Sequence, residues 1–170
     1  SNIISTTISV AEGPEQVVAN GNTLYVSHKG GWGSGNTVSV IDTSTDTLIS
    51  TINVGNVPDE MIIDNSGNLL VSCEGSKWST PELLGSLVTV NTSSNTVSTT
   101  LDYVAGFHPN NLVLSDSTIY LSTPSDIYTM SESATEIPTS PIISATISAM
   151  SVKDGEIYVT DVKDYVSNGT

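Results

Sequence analysis

Apolar residues alternate with Ser and Thr along most of this chain, in short runs broken by Asn, Asp and Gly. Thr37-Val38-Ser39-Val40-Ile41-Asp42 and Leu48-Ile49-Ser50-Thr51-Ile52 flank the polar turn 43–46. Leu87-Val88-Thr89-Val90-Asn91 and Val97-Ser98-Thr99-Thr100-Leu101 flank 92–95 in the same way. A period of two in β-branched sequence marks half-buried strands, and each pair reads as a hairpin. Apolar spacing of 3.6 residues, the mark of an amphipathic helix, is absent from the pattern.

The pattern repeats. Thr7-Ile8-Ser9-Val10-Ala11-Glu12-Gly13-Pro14 returns as Thr51-Ile52-Asn53-Val54-Gly55-Asn56-Val57-Pro58, and again, with two extra residues, from Thr100 to Pro109. The anchoring residues Pro14, Pro58 and Pro109 lie 44 and 51 residues apart. Each copy leads into an apolar strand (16–19, 60–64 and 111–114), a tight polar turn, and a second strand: Leu24-Tyr25-Val26-Ser27, Leu69-Leu70-Val71-Ser72 and Ile119-Tyr120-Leu121-Ser122. A fourth copy of that strand is Glu156-Ile157-Tyr158-Val159-Thr160. Four short strands, a to d, in a unit of this length match one blade of a β-propeller. The predicted fold is therefore all-β, of four-stranded antiparallel blades. A d strand at 3–10 precedes blades 11–54, 55–103 and 104–148 and a partial blade 149–170. Val17, Val26, Val40, Ile62, Val71, Val90, Leu112 and Leu121 are predicted to be buried between blades.

Val38-Ser39-Val40-Ile41-Asp42-Thr43 through Gly55, then Pro58, then Asp64-Asn65-Ser66-Gly67-Asn68-Leu69-Leu70-Val71-Ser72 resembles the YVTN-type repeat of prokaryotic surface-layer and periplasmic propellers. Tyr25-Val26-Ser27-His28 and Tyr158-Val159-Thr160-Asp161 are near matches to its signature tetrapeptide. The third unit departs from the pattern: it lacks the Ile-Asp-Thr step near 126–130 and carries a long c–d connection. The resemblance implies a ring that usually closes with seven blades. The chain holds about three and a half, so further blades or another chain are expected against its open faces. It also implies a bacterial, exported protein at the cell surface or in the periplasm.

Composition narrows the function. The chain of 170 residues carries 18 acidic side chains against four Lys and no Arg, a net charge of -14. Phosphate backbones are held by Lys and Arg, so nucleic acid and anionic membrane surfaces are excluded as partners. No apolar stretch reaches the roughly twenty residues of a membrane-spanning helix. Cys73 is the single cysteine, which rules out an internal disulfide. No metal-ligand spacing, nucleophile elbow or phosphate loop is present, and no cofactor is predicted.

Alternation of strands puts the d–a and b–c loops on one face, at the channel mouth. The d–a loops bring Glu15, Asp59, Glu60, His108 and Asn110 there. The b–c loops bring His28 and Trp32, Glu74 and Trp78, and Asp161, Asp164 and Tyr165. A Lys and an aromatic residue share three of these loops. The two can pack locally between blades, or form aromatic platforms over an acidic mouth suited to a flat, partly polar ligand. The preferred function is a non-catalytic binding or interaction scaffold for a small molecule, glycan or protein. Two alternatives stand beside it: corrinoid capture for an outer-membrane transporter, and an enzyme whose active site lies in blades outside this chain.

Overall fold

The computed structural model describes residues 4–31 and 34–163. Fourteen strands run through them without a helix. The first sheet comprises β1 (Pro14–Asn20), β2 (Thr23–His28), β3 (Thr37–Asp42) and β4 (Thr47–Asn53), paired in that order. The second comprises β5 (Pro58–Ile63), β6 (Leu69–Cys73), β7 (Ser86–Asn91) and β8 (Thr96–Asp102). The third comprises β9 (Asn111–Ser115), β10 (Thr118–Ser122), β11 (Asp126–Ser131) and the two-residue β12 (Ile143–Ser144). β13 (Ala149–Lys153) and β14 (Glu156–Thr160) form a two-stranded sheet. Every pairing is antiparallel.

Turn chemistry sets each hairpin. Asp42 Oδ1 accepts the Ser44 N–H at 2.8 Å, and Asn91 Oδ1 accepts those of Ser93 and Ser94 at 3.0 Å. Asp46 and Asn95 then take φ near +54° to close the two turns. Asp and Asn tolerate this left-handed conformation better than other non-glycine residues.

The sheets stack through their first strands, β1 against β5, β5 against β9 and β9 against β13. Among the outermost strands only β4 and β8 approach one another closely, so the stack fans outward. Two apolar layers fill it. Tyr25, Val38, Val40 and Ile52 of the first sheet meet Met61, Leu69, Val71, Val88 and Val90 of the second. Leu70 and Leu87 on the other side of the second sheet meet Leu112, Ile119, Leu121 and Met130 of the third, together with Tyr103 and Phe107. β6 lies between both layers, and all five of its residues are buried. The outer strands β4 and β8 are mostly exposed, which places the Ser and Thr of those strands in solvent.

Three expectations change. Residues 4–10 form no strand, and Ile4 is 87% exposed; a d strand needs a c strand beside it, and no described segment pairs with this one. Val17 is 59% exposed because its side of β1 carries no neighbouring sheet among the described residues, and Ile62 is half-buried. The six other predicted core residues are buried. The third sheet keeps only two residues of its fourth strand, after the long connection 132–142, in which Pro141 has no N–H to extend the ladder beyond the Ile142 bond to Ile127.

Leu121→Ala is expected to cost about 2–5 kcal/mol, whereas Val17→Ala stays within about 0.5 kcal/mol, by urea unfolding. Burial pushes the Cys73 thiol up to about 12. Thiol reagents at neutral pH should therefore label it only after unfolding; labelling at the rate of a free thiol would contradict the packing.

Candidate functional site

The connections β2–β3, β6–β7, β4–β5 and β8–β9 emerge on one side of the stack, as strand alternation requires. The expected site residues divide sharply there. Glu15 is exposed on β1. Asp59 is 6% exposed at the start of β5, next to the half-buried Glu60. Lys29 Nζ reaches Asp59 Oδ2 and Glu74 Oε2, both at 3.0 Å, and so ties the first sheet to the second. Burial alone lowers the pKa of Lys29, but its hydrogen bonds and charge pairing with Asp59 and then Glu74 outweigh that and raise it. Glu60 is held above the usual carboxylate range, chiefly by burial and then by the Asp59 charge, while Lys29 pulls it down. The Gln16 amide completes the seam, donating to Glu60 Oε2 at 2.9 Å and accepting from the Met61 N–H.

His28 does not reach this face. It is 1% exposed within β2, and its Nδ1–H donates to the Thr37 carbonyl at 3.1 Å. Burial lowers its pKa, so the ring is neutral, and Nε2 has no partner among the described residues. The ring is a packing residue and cannot contact a ligand. Asn110 is spent locally: its N–H donates to the Ser122 carbonyl at 2.9 Å and its Oδ1 accepts from Asn111. Asp161 caps a turn by accepting the Lys163 N–H at 2.7 Å. Trp32, Asp164 and Tyr165 lie outside the described residues.

Trp78 stands out. It is 85% exposed at the tip of the β6–β7 connection, with Lys77 Nζ 5.0 Å from its ring centroid. A cavity of about 260 Å³ lies beneath, lined by Lys29, Glu74, Ser76, Lys77, Trp78 and His108. A second, of about 230 Å³, shares Lys77 and His108 and continues to Phe107, Asp126 and Tyr128. Phe107 stacks edge-on between Tyr103 and Tyr128, with centroids 5.0 and 4.9 Å away. Sequence reasoning missed Glu82, which accepts from His108 Nε2 at 2.9 Å and from the Gly106 N–H at 2.7 Å. No motif marks it; only the fold-back of its loop, through the Ser76–Leu83 bridge, brings it to His108. A larger cleft of about 760 Å³ opens elsewhere, between the outer parts of the second and third sheets, and includes none of the expected site residues.

Among the described residues no group of three His, Cys, Asp or Glu side chains is placed to hold a metal ion, and no helix is long and apolar enough to cross a membrane. The structure defines an all-β protein of stacked four-stranded antiparallel sheets. No family model and no curated protein matches the sequence. Among solved structures the chain is similar to hydrazine synthase of Kuenenia stuttgartiensis, with 18% identity and a TM-score of 0.60. The match covers 86% of this chain and 43% of that one, and is a likeness of fold.

Replacing Lys29 by Met leaves Asp59, Glu60 and Glu74 without their shared cation. The expected cost at pH 7 is about 1–3 kcal/mol, less than for a fully buried pair because Lys29 keeps some solvent contact. Loss of Lys29 raises Glu60 further above its unfolded value. A carboxyl shifted that way adds stability below the unfolded pKa and loses it as pH rises through the folded one. The deficit should therefore shrink toward about pH 4 and reach its full size by neutrality. Denaturation midpoints of both proteins across this range test it; a deficit independent of pH would contradict the assignment.

Proposed function

We propose that this chain is a run of β-propeller blades, of the seven-bladed YVTN-like kind, serving as a non-catalytic binding or interaction scaffold outside the cytoplasm. The fan of sheets stacked by their first strands supports the propeller reading. The exposed Trp78 beside the cavity bordered by Lys29, Glu74 and His108 carries the binding reading. A large aromatic side chain left in solvent gains nothing for folding but offers a flat apolar surface to a ligand. The ion pairs beneath hold the loop bases rigid, and rigid supports are what binding loops need. The groups around the cavity are acceptors and donors already partnered among themselves, an arrangement suited to recognition more than to proton transfer.

The partner is a small molecule, glycan or protein segment with a flat face to lay against the indole. A thermal-shift screen of the complete protein against glycans, peptides and corrinoids identifies it. Trp78→Ala should then weaken binding at least tenfold, in the range of an aromatic contact residue, and leave the melting temperature within about 1–2 °C, as for an exposed position. Unchanged affinity in this variant would remove the loop from the binding surface.

A further inference from the structure

His108 is 7% exposed, and both of its ring nitrogens face oxygen. Nδ1 lies 2.7 Å from the backbone carbonyl of Glu74, and Nε2 lies 2.9 Å from Glu82 Oε1. A carbonyl oxygen can only accept. Glu82 Oε1 already accepts the Gly106 N–H at 2.7 Å, so it too is an acceptor. A neutral imidazole has one N–H and one lone pair. Whichever nitrogen lost its proton would aim that lone pair at an oxygen lone pair within 3 Å. The geometry is satisfied only when both nitrogens donate.

We propose that His108 is a proton-dependent latch that clasps the Trp78-bearing loop to the β8–β9 connection, closed in the imidazolium form and loosened when the ring loses one proton. The two acceptors sit at opposite ends of the β6–β7 connection: Glu74 at its base and Glu82 past its tip. One ring therefore pins both ends to the β8–β9 connection. The base has other anchors, the Glu74 and Gly75 N–H groups donating to Val57 and Asn56 carbonyls. The Glu82 end is held to the β8–β9 connection by His108 and Gly106 through a single oxygen, beside the Ser76–Leu83 backbone pair and the Asn56 amide on the Leu84 carbonyl. Loss of the Nε2–H bond thus loosens the hold of the β8–β9 connection on Glu82, and loss of the Nδ1–H bond loosens its hold on Glu74.

The charged and titratable groups around the ring are few. Glu82 offsets the imidazolium charge, Lys77 borders both cavities beside it, and Lys29 shares the nearer one with the Glu74 carboxylate. From the third sheet, Asp126 and Tyr128 line the farther cavity. Glu82 is held below the usual carboxylate range by the Gly106 N–H and then by His108, in keeping with its role as acceptor. His28 is the built-in contrast: its second nitrogen meets no acceptor among the described residues, and burial keeps it neutral.

The chain has two histidines, so ring ¹⁵N NMR of the labelled protein resolves them. With the ring doubly protonated, both ring N–H signals of His108 should show hydrogen bonding, as the two acceptors require. The protection factor of the Gly106 amide, its exchange rate corrected for the intrinsic dependence on pH, should fall on the order of tenfold as the ring loses one proton, the factor for losing one hydrogen bond to a charged group. His108→Gln should remove that change in Gly106 protection. A His108 ring that is neutral throughout, or Gly106 protection that does not follow its titration, would overturn the latch; both readings need only the wild-type protein. The same pH profile in His108→Gln as in wild type would overturn it too.

Discussion

The structure depends on one constraint: a four-stranded sheet of this size cannot bury its apolar faces alone. β6 shows it most directly. Leu69, Val71 and Cys73 face the first sheet while Leu70 faces the third, and none of its five residues reaches solvent. The strand alternates between two cores instead of between core and water. Fully burying such a side chain contributes about 1.5–3 kcal/mol, and stacking is what makes both faces count. The first strands stay in contact while the outer strands diverge, so the apolar residues concentrate near the inner edge and Ser and Thr take the outer one.

Polar contacts then fix the alignment of neighbouring sheets. Ser27 Oγ donates to the Asp59 carbonyl at 2.9 Å and accepts the Gln16 N–H at 3.2 Å. Ser72 Oγ pairs with the Tyr103 hydroxyl at 3.0 Å, and Ser122 Oγ accepts from Asn111 at 2.9 Å. These three serines stand last or next to last in the second strand of successive sheets and are all buried. A buried hydroxyl left alone is costly, so Ser27 and Ser72 select the alignment that supplies their partners, while Ser122 finds its partner within its own sheet. With the Gln16 amide and Lys29 bridging the first two sheets, the seam beneath the loops is held by directional bonds.

Under the proposed function that seam separates support from recognition. Lys29, Asp59, Glu74, His108 and Glu82 satisfy one another and hold the loop bases, and the tip with Trp78 is left free to meet a partner. The two histidines mark the same division. Both were candidates as loop-proximal residues, yet His28 packs inside one sheet and His108 joins two.

Local sequence determined the strands, the hairpin turns and the repeat, because a period of two and the turn preferences of Asn, Asp and Gly act within a few residues. Ser27, Ser72 and Ser122 and the prolines at 14, 58 and 109 keep their places for the same reason. Burial of Val17 was not decided locally: its strand pattern matches that of Leu112, but a face is buried only where another sheet lies against it. The 4–10 segment repeats the residues of a d strand and still forms none, since pairing needs a partner strand. At the candidate site the loop membership of Glu74, Trp78 and His108 was legible, whereas Glu15, Asp59 and Glu60, expected in the same loops, lie in the first residues of β1 and β5. The pairing of Lys29 with two carboxylates, the burial of His28 and the meeting of His108 with Glu82 were not. Those contacts join residues from different connections, and only the stacking of whole sheets sets the distances between them.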